Sequence, residues 1–267
     1  MVRCPTCGIR LDEAARRCPR HGEAPSPPPL QDAPTLIPAP ELSGYQLGRS
    51  LGQGGFGAVF EARRSADGAR VAIKVARSDQ PSAAARLVRE GVALAAIGAT
   101  AVPKVWASGH LDHGPPYLVL EYVSWPTLAE RMADQLGPVP ADLFASLAPA
   151  IVELVEISHQ RGFVHCDLKP ENIFVGSVVK GDDAAIGARL FDFGLAQPLS
   201  DGSASETSVE PLADEGTAGT PEYMAPEQCD GRGAVDGRTD IYALGVILYE
   251  MCAGAPPFWG GAPAHIS

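Results

Sequence analysis

The sequence predicts an α+β protein in which an antiparallel sheet is followed by a mainly helical half, with a small cysteine-containing segment in front. Three observations support this class. Strand-like alternation of apolar residues runs through positions 45–75, and a further apolar strand is predicted over 117–123. Helical spacing of apolar residues dominates after Pro126. Three of the six cysteines lie within the first 18 residues.

The first 22 residues contain a metal-ligand pattern. Cys4 and Cys7 are followed, after ten residues, by Cys18 and His21. This spacing resembles a zinc ribbon, in which three thiolates and one imidazole surround the ion. Reduced cysteines in a disordered tail are the alternative. Because the segment has almost no apolar core, we expect it to need zinc in order to fold, and we expect the rest of the chain not to need it.

A proline-rich stretch separates this segment from the rest of the chain. Seven prolines lie between positions 25 and 40, and such a density blocks helix and sheet and favours an extended linker. The expected division is a zinc ribbon over 1–22, a proline-rich linker over 23–43 and one large domain over 44–267.

The predicted sheet carries a glycine string and a lysine. Gly52–Gly57 has the sequence G-Q-G-G-F-G, and the strand-like residues after it predict a hairpin turn in which backbone N–H groups can approach phosphates. An ordinary hairpin turn is the alternative. Lys74 follows apolar residues of a strand, and Glu90 on a helix predicted over 82–97 is its natural partner. The alternative for Lys74 is a strand-edge lysine that reaches to water.

Two helices are expected in the second half. Residues 142–161 form a broad apolar face, and Pro149 can kink this helix. Residues 240–252 are apolar nearly all round, which predicts a helix buried at the centre of the domain. Cys229 and Cys252 lack metal-ligand spacing and are expected to be small buried residues.

The strongest string is His165–Asn172, H-C-D-L-K-P-E-N, followed 20 residues later by D-F-G at Asp192. The glycine string, V-A-I-K ending at Lys74, these two motifs and A-P-E ending at Glu227 occur in the order typical of one family. From about residue 45 to its end the chain resembles the eukaryotic-like Ser/Thr protein kinases.

This resemblance implies the bilobal protein-kinase fold without its last helices, as in a fragment of a longer protein. It also implies transfer of the γ-phosphate of ATP to Ser and Thr hydroxyls of proteins, including autophosphorylation. Asp167 would accept the proton of the substrate hydroxyl, and Lys169 would neutralise the transferring phosphoryl group. Asn172 and Asp192 would supply oxygens to Mg²⁺.

The resemblance further implies a larger set of site residues. The catalytic group would be Lys74, Glu90, Asp167, Lys169 and Thr220. The residues that bind ATP would be Leu51, Gly52, Gly54, Gly55, Phe56, Gly57, Val59, Ala72, Lys74, Glu121, Val123, Asn172, Phe174 and Asp192. Gly219–Glu227 resembles the segment that seats a protein substrate.

Three departures from the family pattern lead to further expectations. Cys166 stands where the family usually has the arginine that pairs with activation-loop phosphate, so we expect activity to depend weakly on phosphorylation of the hydroxyl-rich stretch 200–220. Glu227 is expected to lack its usual arginine partner. Residues 176–189 make the stretch between Asn172 and the D-F-G motif longer than the family usually has, and they suggest no function.

Composition excludes several classes of function. A net charge of −11 argues against a main role in gripping nucleic acid. The sequence has no uninterrupted apolar stretch of 18 residues and no signal peptide, which favours a cytoplasmic protein without a membrane segment.

The alternatives to an active kinase are a catalytically silent pseudokinase scaffold and a zinc-ribbon adaptor. The joint presence of Lys74, Asp167, Asn172 and Asp192 speaks against the scaffold.

Overall fold

A computed structural model describes residues 2–4, 7–11, 18–22, 40–112, 114–180, 183–199, 221–230 and 235–258. The chain divides into two compact units. The sheet unit comprises Pro29–Ser124 and Asp192–Ala196. The helical unit comprises Met1–Pro28, Trp125–Phe191 and Gln197–Ser267. The N-terminal segment thus belongs to the same compact unit as the two helices predicted after Pro126.

The N-terminal segment is built from a short strand pair and two tight turns. Strands β1 (Val2–Arg3) and β2 (Arg10–Leu11) pair antiparallel, with Arg3 opposite Arg10. The N–H of Gly8 donates to the carbonyl of Cys4 at 2.9 Å, and that of Gly22 donates to Cys18 at 2.8 Å. Each turn therefore folds back onto a cysteine of the predicted metal site.

The sheet unit contains a five-stranded antiparallel sheet in the order β3-β4-β5-β7-β6, with one helix. Its elements are β3 (Tyr45–Gly54), β4 (Gly57–Arg64), β5 (Arg70–Ala76), α1 (Pro81–Ile97), β6 (Val105–His110) and β7 (Pro116–Glu121). Alternate residues of β4 and β5 are buried, as period-2 patterning requires. Helix α1 buries Leu87, Glu90 and Leu94, which confirms their predicted common face. Strand β6 was not predicted.

Within the described residues, the helical unit contains four α-helices and six of the strands, two of which, β1 and β2, belong to the N-terminal segment. The helices and the other strands are α2 (Leu128–Gln135), α3 (Ala141–Gln160), β8 (Phe163–Val164), β9 (Ile173–Lys180), β10 (Asp183–Leu190), β11 (Gln197–Pro198), α4 (Pro226–Asp230) and α5 (Gly237–Ala253). Thr127 caps α2 in a reciprocal capping box with Glu130. Helix α3 contains Pro149 and buries Leu147, Ile151, Leu154 and Val155 of the predicted apolar face. The long stretch 176–189 lies in the antiparallel β9–β10 hairpin.

Helix α5 is less completely buried than predicted. Its exposed residues form one stripe at spacings of three and four positions: Arg238, Ile241, Gly245, Tyr249 and Cys252. Leu244, Ile247 and Met251 are buried on the opposite side. The predictions of burial all round and of a buried Cys252 are therefore wrong, and Cys229 is only half-buried. Within the described ranges, no helix is both long and apolar enough to cross a membrane.

Candidate active site

Lys74 lies within β5, and its ammonium group contacts two carboxylates of the sheet unit. Nζ donates to Glu90 Oε2 at 2.6 Å and to Asp192 Oδ1 at 2.7 Å. Burial opposes the charged form of Lys74, but Glu90 and Asp192 outweigh it and raise the pKa of the ammonium. Burial also raises the pKa of Glu90 to about 7, against the opposing effect of Lys74. The pairing predicted for Lys74 and Glu90 is present, and its role stays a prediction.

The glycine string forms the turn between β3 and β4. Gly54 and Gly57 are opposite one another, and Gly55 and Phe56 make the turn. A Cβ atom added to Gly57 would collide with the carbonyl oxygen of Val75, so this glycine is required by the packing of the sheet. Cβ atoms added at Gly54 and Gly55 would meet no described residue within 4 Å. The phosphate site predicted at this turn stays a prediction.

The other residues predicted to bind ATP lie in both units. Those in the sheet unit are half-buried or exposed: Leu51, Gly52, Phe56, Val59, Ala72, Glu121 and Val123. Glu121 is the last residue of β7, and Val123 follows the strand. In the helical unit the Phe174 ring stacks on Phe191, with the ring centroids 4.1 Å apart. Half-buried apolar groups of this kind can pack against a planar base.

The string His165–Asn172 begins after β8 and is held by a buried carboxylate of α5. Asp240, only 1% exposed, accepts the backbone N–H groups of His165 at 2.8 Å and Cys166 at 2.9 Å. Its Oδ2 also lies 2.8 Å from His159 Nε2. Cys166 has a φ of 65°, in the left-handed region that non-glycine residues rarely adopt. The carboxylate of Asp240 therefore stabilises a strained backbone immediately before Asp167.

Asp167 carries a half-buried carboxylate with a cation beside it. Lys169 Nζ donates to Asp167 Oδ2 at 2.7 Å. The amide nitrogen of Asn172 donates to the carbonyl oxygen of Asp167 at 2.8 Å and to Oδ2 at 3.3 Å. Both bonds use the N–H₂ end of the amide, and the amide oxygen is the atom that can bind a hard cation. An acceptor carboxylate, a cation and a metal-binding oxygen thus lie within one loop of the helical unit.

The segment after residue 220 is joined to the same loop. Gln228 Nε2 donates to the carbonyl oxygen of Cys166 at 2.7 Å, and Gln228 Oε1 accepts the backbone N–H of Ala225 at 3.1 Å. Glu227, which was expected to lack a partner, accepts a hydrogen bond from the Thr239 hydroxyl at 2.7 Å. The carboxylate of Glu227 is therefore hydrogen-bonded to a residue of α5.

Cys4, Cys7, Cys18 and His21 come together as the spacing predicted, with their ligand atoms all within 4.8 Å of one another. The Sγ atoms of Cys7 and Cys18 are 3.6 Å apart, and His21 Nδ1 lies 3.5 Å from both Cys4 Sγ and Cys18 Sγ. Sulfur and nitrogen ligands at tetrahedral zinc distances are about 3.5–3.8 Å from one another. The arrangement of the four side chains therefore fits a zinc ion.

Two groups that contact this loop were not predicted from the sequence: Asp240 and Gln228. The predicted catalytic residue Thr220 and the hydroxyl-rich stretch before it lie outside the described residues. The available signal for Asp240 was a carboxylate at the first position of an otherwise apolar helical pattern, because such a group is rarely buried without a partner. No comparable signal exists for Gln228.

Comparison with known proteins shows which family the chain resembles. The family model for the protein kinase domain matches residues 45–266. The chain is 36% identical to the serine/threonine-protein kinase PknB of Mycobacterium leprae, over 85% of this chain and 35% of that protein. It is 34% identical to the serine/threonine-protein kinase Pkn1 of Myxococcus xanthus, over 96% of this chain and 36% of that protein. The chain thus spans about a third of the length of these curated relatives.

Proposed function

Because the chain belongs to the protein kinase domain family, we propose that it transfers the γ-phosphate of ATP to Ser and Thr hydroxyls of proteins, its own included. The observation that carries the proposal is the Asp167 carboxylate, with Lys169 at 2.7 Å, on a loop held by Asp240. Related proteins named as serine/threonine kinases support the choice of acceptor.

The proposed mechanism assigns one task to each charged group. ATP supplies the phosphoryl group when it is bound with Mg²⁺. Asp167 orients the acceptor hydroxyl and takes its proton, while Lys169 neutralises charge on the transferring group. Lys74, fixed by Glu90, holds the phosphates of the nucleotide.

The remaining assignments concern the metal and the nucleotide. Asn172 and Asp192 supply oxygens to Mg²⁺, as hard cations prefer. The glycine turn gives backbone N–H groups to the phosphates, and Thr220 completes the catalytic set. Protein substrates, rather than nucleic acid, are the proposed partners, since the chain carries a net charge of −11.

Two substitutions test these roles with labelled ATP and a generic basic protein. Asp167→Asn should lower the rate by about 10²-fold or more while MgATP binding stays within a few-fold, because only the proton acceptor is removed. Asp192→Ala should weaken the binding of MgATP as well. Asp142→Asn, an exposed residue of the helical unit, is the matched control. A variant at Asp167 or Asp192 that kept more than about a tenth of the parent rate would favour the pseudokinase scaffold.

We further propose that Cys4, Cys7, Cys18 and His21 bind a structural Zn²⁺. The ligand distances and the turns at Gly8 and Gly22 support this assignment. Elemental analysis of the purified chain should give one zinc per molecule. Cys4→Ser should lose the zinc and the exposed control Cys252→Ser should keep it. Zinc well below one per chain in the parent protein would contradict the assignment.

We also propose a cellular compartment and a domain division for the chain. Thiolate ligands and ATP are typical of the reducing cytoplasm, and we assign the chain to it. The proposed organisation is a zinc ribbon over 1–22, a proline-rich linker over 23–43 and a kinase domain over 44–267.

A further inference from the structure

Arg10 of β2 is a buried guanidinium in the helical unit, with 3% of its surface exposed. All three of its nitrogens donate hydrogen bonds: Nε to Glu250 Oε1 at 2.9 Å, Nη1 to Glu171 Oε1 at 2.5 Å and Nη2 to the Tyr223 hydroxyl at 2.7 Å. These partners lie between 161 and 240 residues away in the chain. One arginine of the N-terminal segment therefore contacts α5, the loop that carries Asp167 and the segment after residue 220.

Glu250 is fully buried in α5, and the N-terminal segment supplies cations to it. Besides Arg10, Arg3 Nη1 lies 2.7 Å from Glu250 Oε1. The Tyr223 hydroxyl donates to the other oxygen of the carboxylate. A buried carboxylate is tolerated only when cations and donors compensate for the water that it has lost. Arg3, Arg10, Glu171, Tyr223 and Glu250 are together called the buried arginine network.

The two arginines lie beside the predicted metal ligands in the N-terminal segment. Arg3 directly precedes Cys4, and it pairs with Arg10 across β1 and β2. The N–H of Cys4 donates to the carbonyl of Ile9 at 2.9 Å. Ile9 and Leu11 are buried against the cysteines, and they are the main apolar residues of this segment. This core is small, so a bound metal would add to the stability that the strand pair gains from its contacts with the helical unit.

We propose that metal binding at Cys4, Cys7, Cys18 and His21 is energetically coupled to the insertion of Arg10 into the buried arginine network. The metal-bound segment is then a clamp that positions Glu171 and Tyr223 in the helical unit. The proposal rests on the zinc part of the proposed function and not on phosphoryl transfer. It goes beyond the sequence-based expectation that only the first 22 residues need zinc in order to fold.

The coupling is measured as the Zn²⁺ affinity of the full chain, in competition with a chromophoric chelator. Arg10→Met removes the guanidinium and leaves every metal ligand in place. We expect it to weaken zinc binding by about 10-fold or more, within the usual range of coupling between sites. Arg20→Met is the matched control: Arg20 lies between Cys18 and His21 but is exposed, so its loss of charge should change the affinity by less than about 2-fold.

A double-mutant cycle identifies the partner of Arg10. Glu250→Gln removes the buried charge, and it should also weaken zinc binding although it lies far from the metal ligands in sequence. The double variant Arg10→Met, Glu250→Gln should bind zinc about as well as the weaker single variant, because both changes remove the same interaction. If the two losses simply multiply, the proposed link through this pair is wrong.

Hydrogen exchange on the unaltered chain avoids variants that fail to fold. Removal of zinc should speed amide exchange in 169–172 and 221–227 by at least about 10-fold, the same range of coupling, and leave β4 and β5 of the sheet unit unchanged. Unchanged exchange in both segments, or equal zinc affinity of Arg10→Met and Arg20→Met, would overturn the coupling while the zinc assignment stands. A parent chain that binds no zinc would overturn both.

Discussion

Asp240 offers the sharpest test of how the loop that carries Asp167 is held. Its two carboxylate oxygens accept the N–H groups of His165 and Cys166 at 2.8 and 2.9 Å. Hydrogen bonds to a charged group contribute about 1.5–3 kcal/mol each. Asp240→Asn leaves one acceptor oxygen and turns an N–H₂ group toward the second N–H donor. The expected loss of unfolding free energy is therefore about 3 kcal/mol.

That loss can be followed by thermal unfolding and by kinetics. A loss of about 3 kcal/mol corresponds to a fall in the melting temperature of roughly 6–12 °C for a chain of this size. At temperatures where the variant is folded, we expect its rate of phosphoryl transfer to fall by about 10²-fold, because displacement of a catalytic group by about 1 Å has this effect.

Asp236→Asn is the matched control for this experiment. Asp236 is the N-cap of the same helix, partly exposed and paired with Arg238. Asparagine is as good an N-cap as aspartate, so this change should cost less than about 1 kcal/mol. Equal melting temperatures and equal rates for Asp240→Asn and Asp236→Asn would refute the idea that the buried carboxylate positions the loop.

The remaining predictions concern pH and regulation. Burial raises the pKa of Glu90 to about 7, so the carboxylate is ionised above that pH and its ion pair with Lys74 is lost below it. We expect kcat/KM for ATP to fall as the pH is lowered from 8 to 6, toward the value of the Glu90→Gln variant. The pH profile of that variant should be flatter, and parallel pH profiles for the two proteins would contradict the role of Glu90. Cys166 supplies no cation to a phosphate on the stretch 200–220. Phosphatase treatment or Thr217→Ala should therefore lower the rate of phosphoryl transfer by much less than about 100-fold. A larger loss would show that another cation replaces the missing arginine.

The elements with strong local periodicity could be predicted from the sequence. Strands β4 and β5 alternate between buried and half-buried residues, and α1 and α3 each carry one apolar face. Strand β6 was not predicted because it lies at the edge of the sheet and none of its residues is fully buried. An edge strand without a buried face gives almost no alternation of apolar residues.

The site was predictable where residues close in sequence act together, and not where the partners are far apart. The spacing of Cys4, Cys7, Cys18 and His21 led directly to their cluster. The contact between Arg10 and Glu250 joins positions 240 residues apart, and a local pattern contains no information on such a pair. The sequence showed five arginines near the cysteines but could not show that one of them is buried.

Helix α5 carries two buried carboxylates ten positions apart in an otherwise apolar sequence, or about 15 Å along the helix axis. Asp240 accepts hydrogen bonds from the loop before Asp167, and Glu250 accepts them from Arg3 and Arg10. Stability alone does not account for these groups, because hydrophobic residues in place of a buried ion pair are often neutral or stabilising. Positioning does account for them. Each carboxylate fixes a different segment to the same helix, so α5 sets the place of both the loop that carries Asp167 and the N-terminal segment within the helical unit.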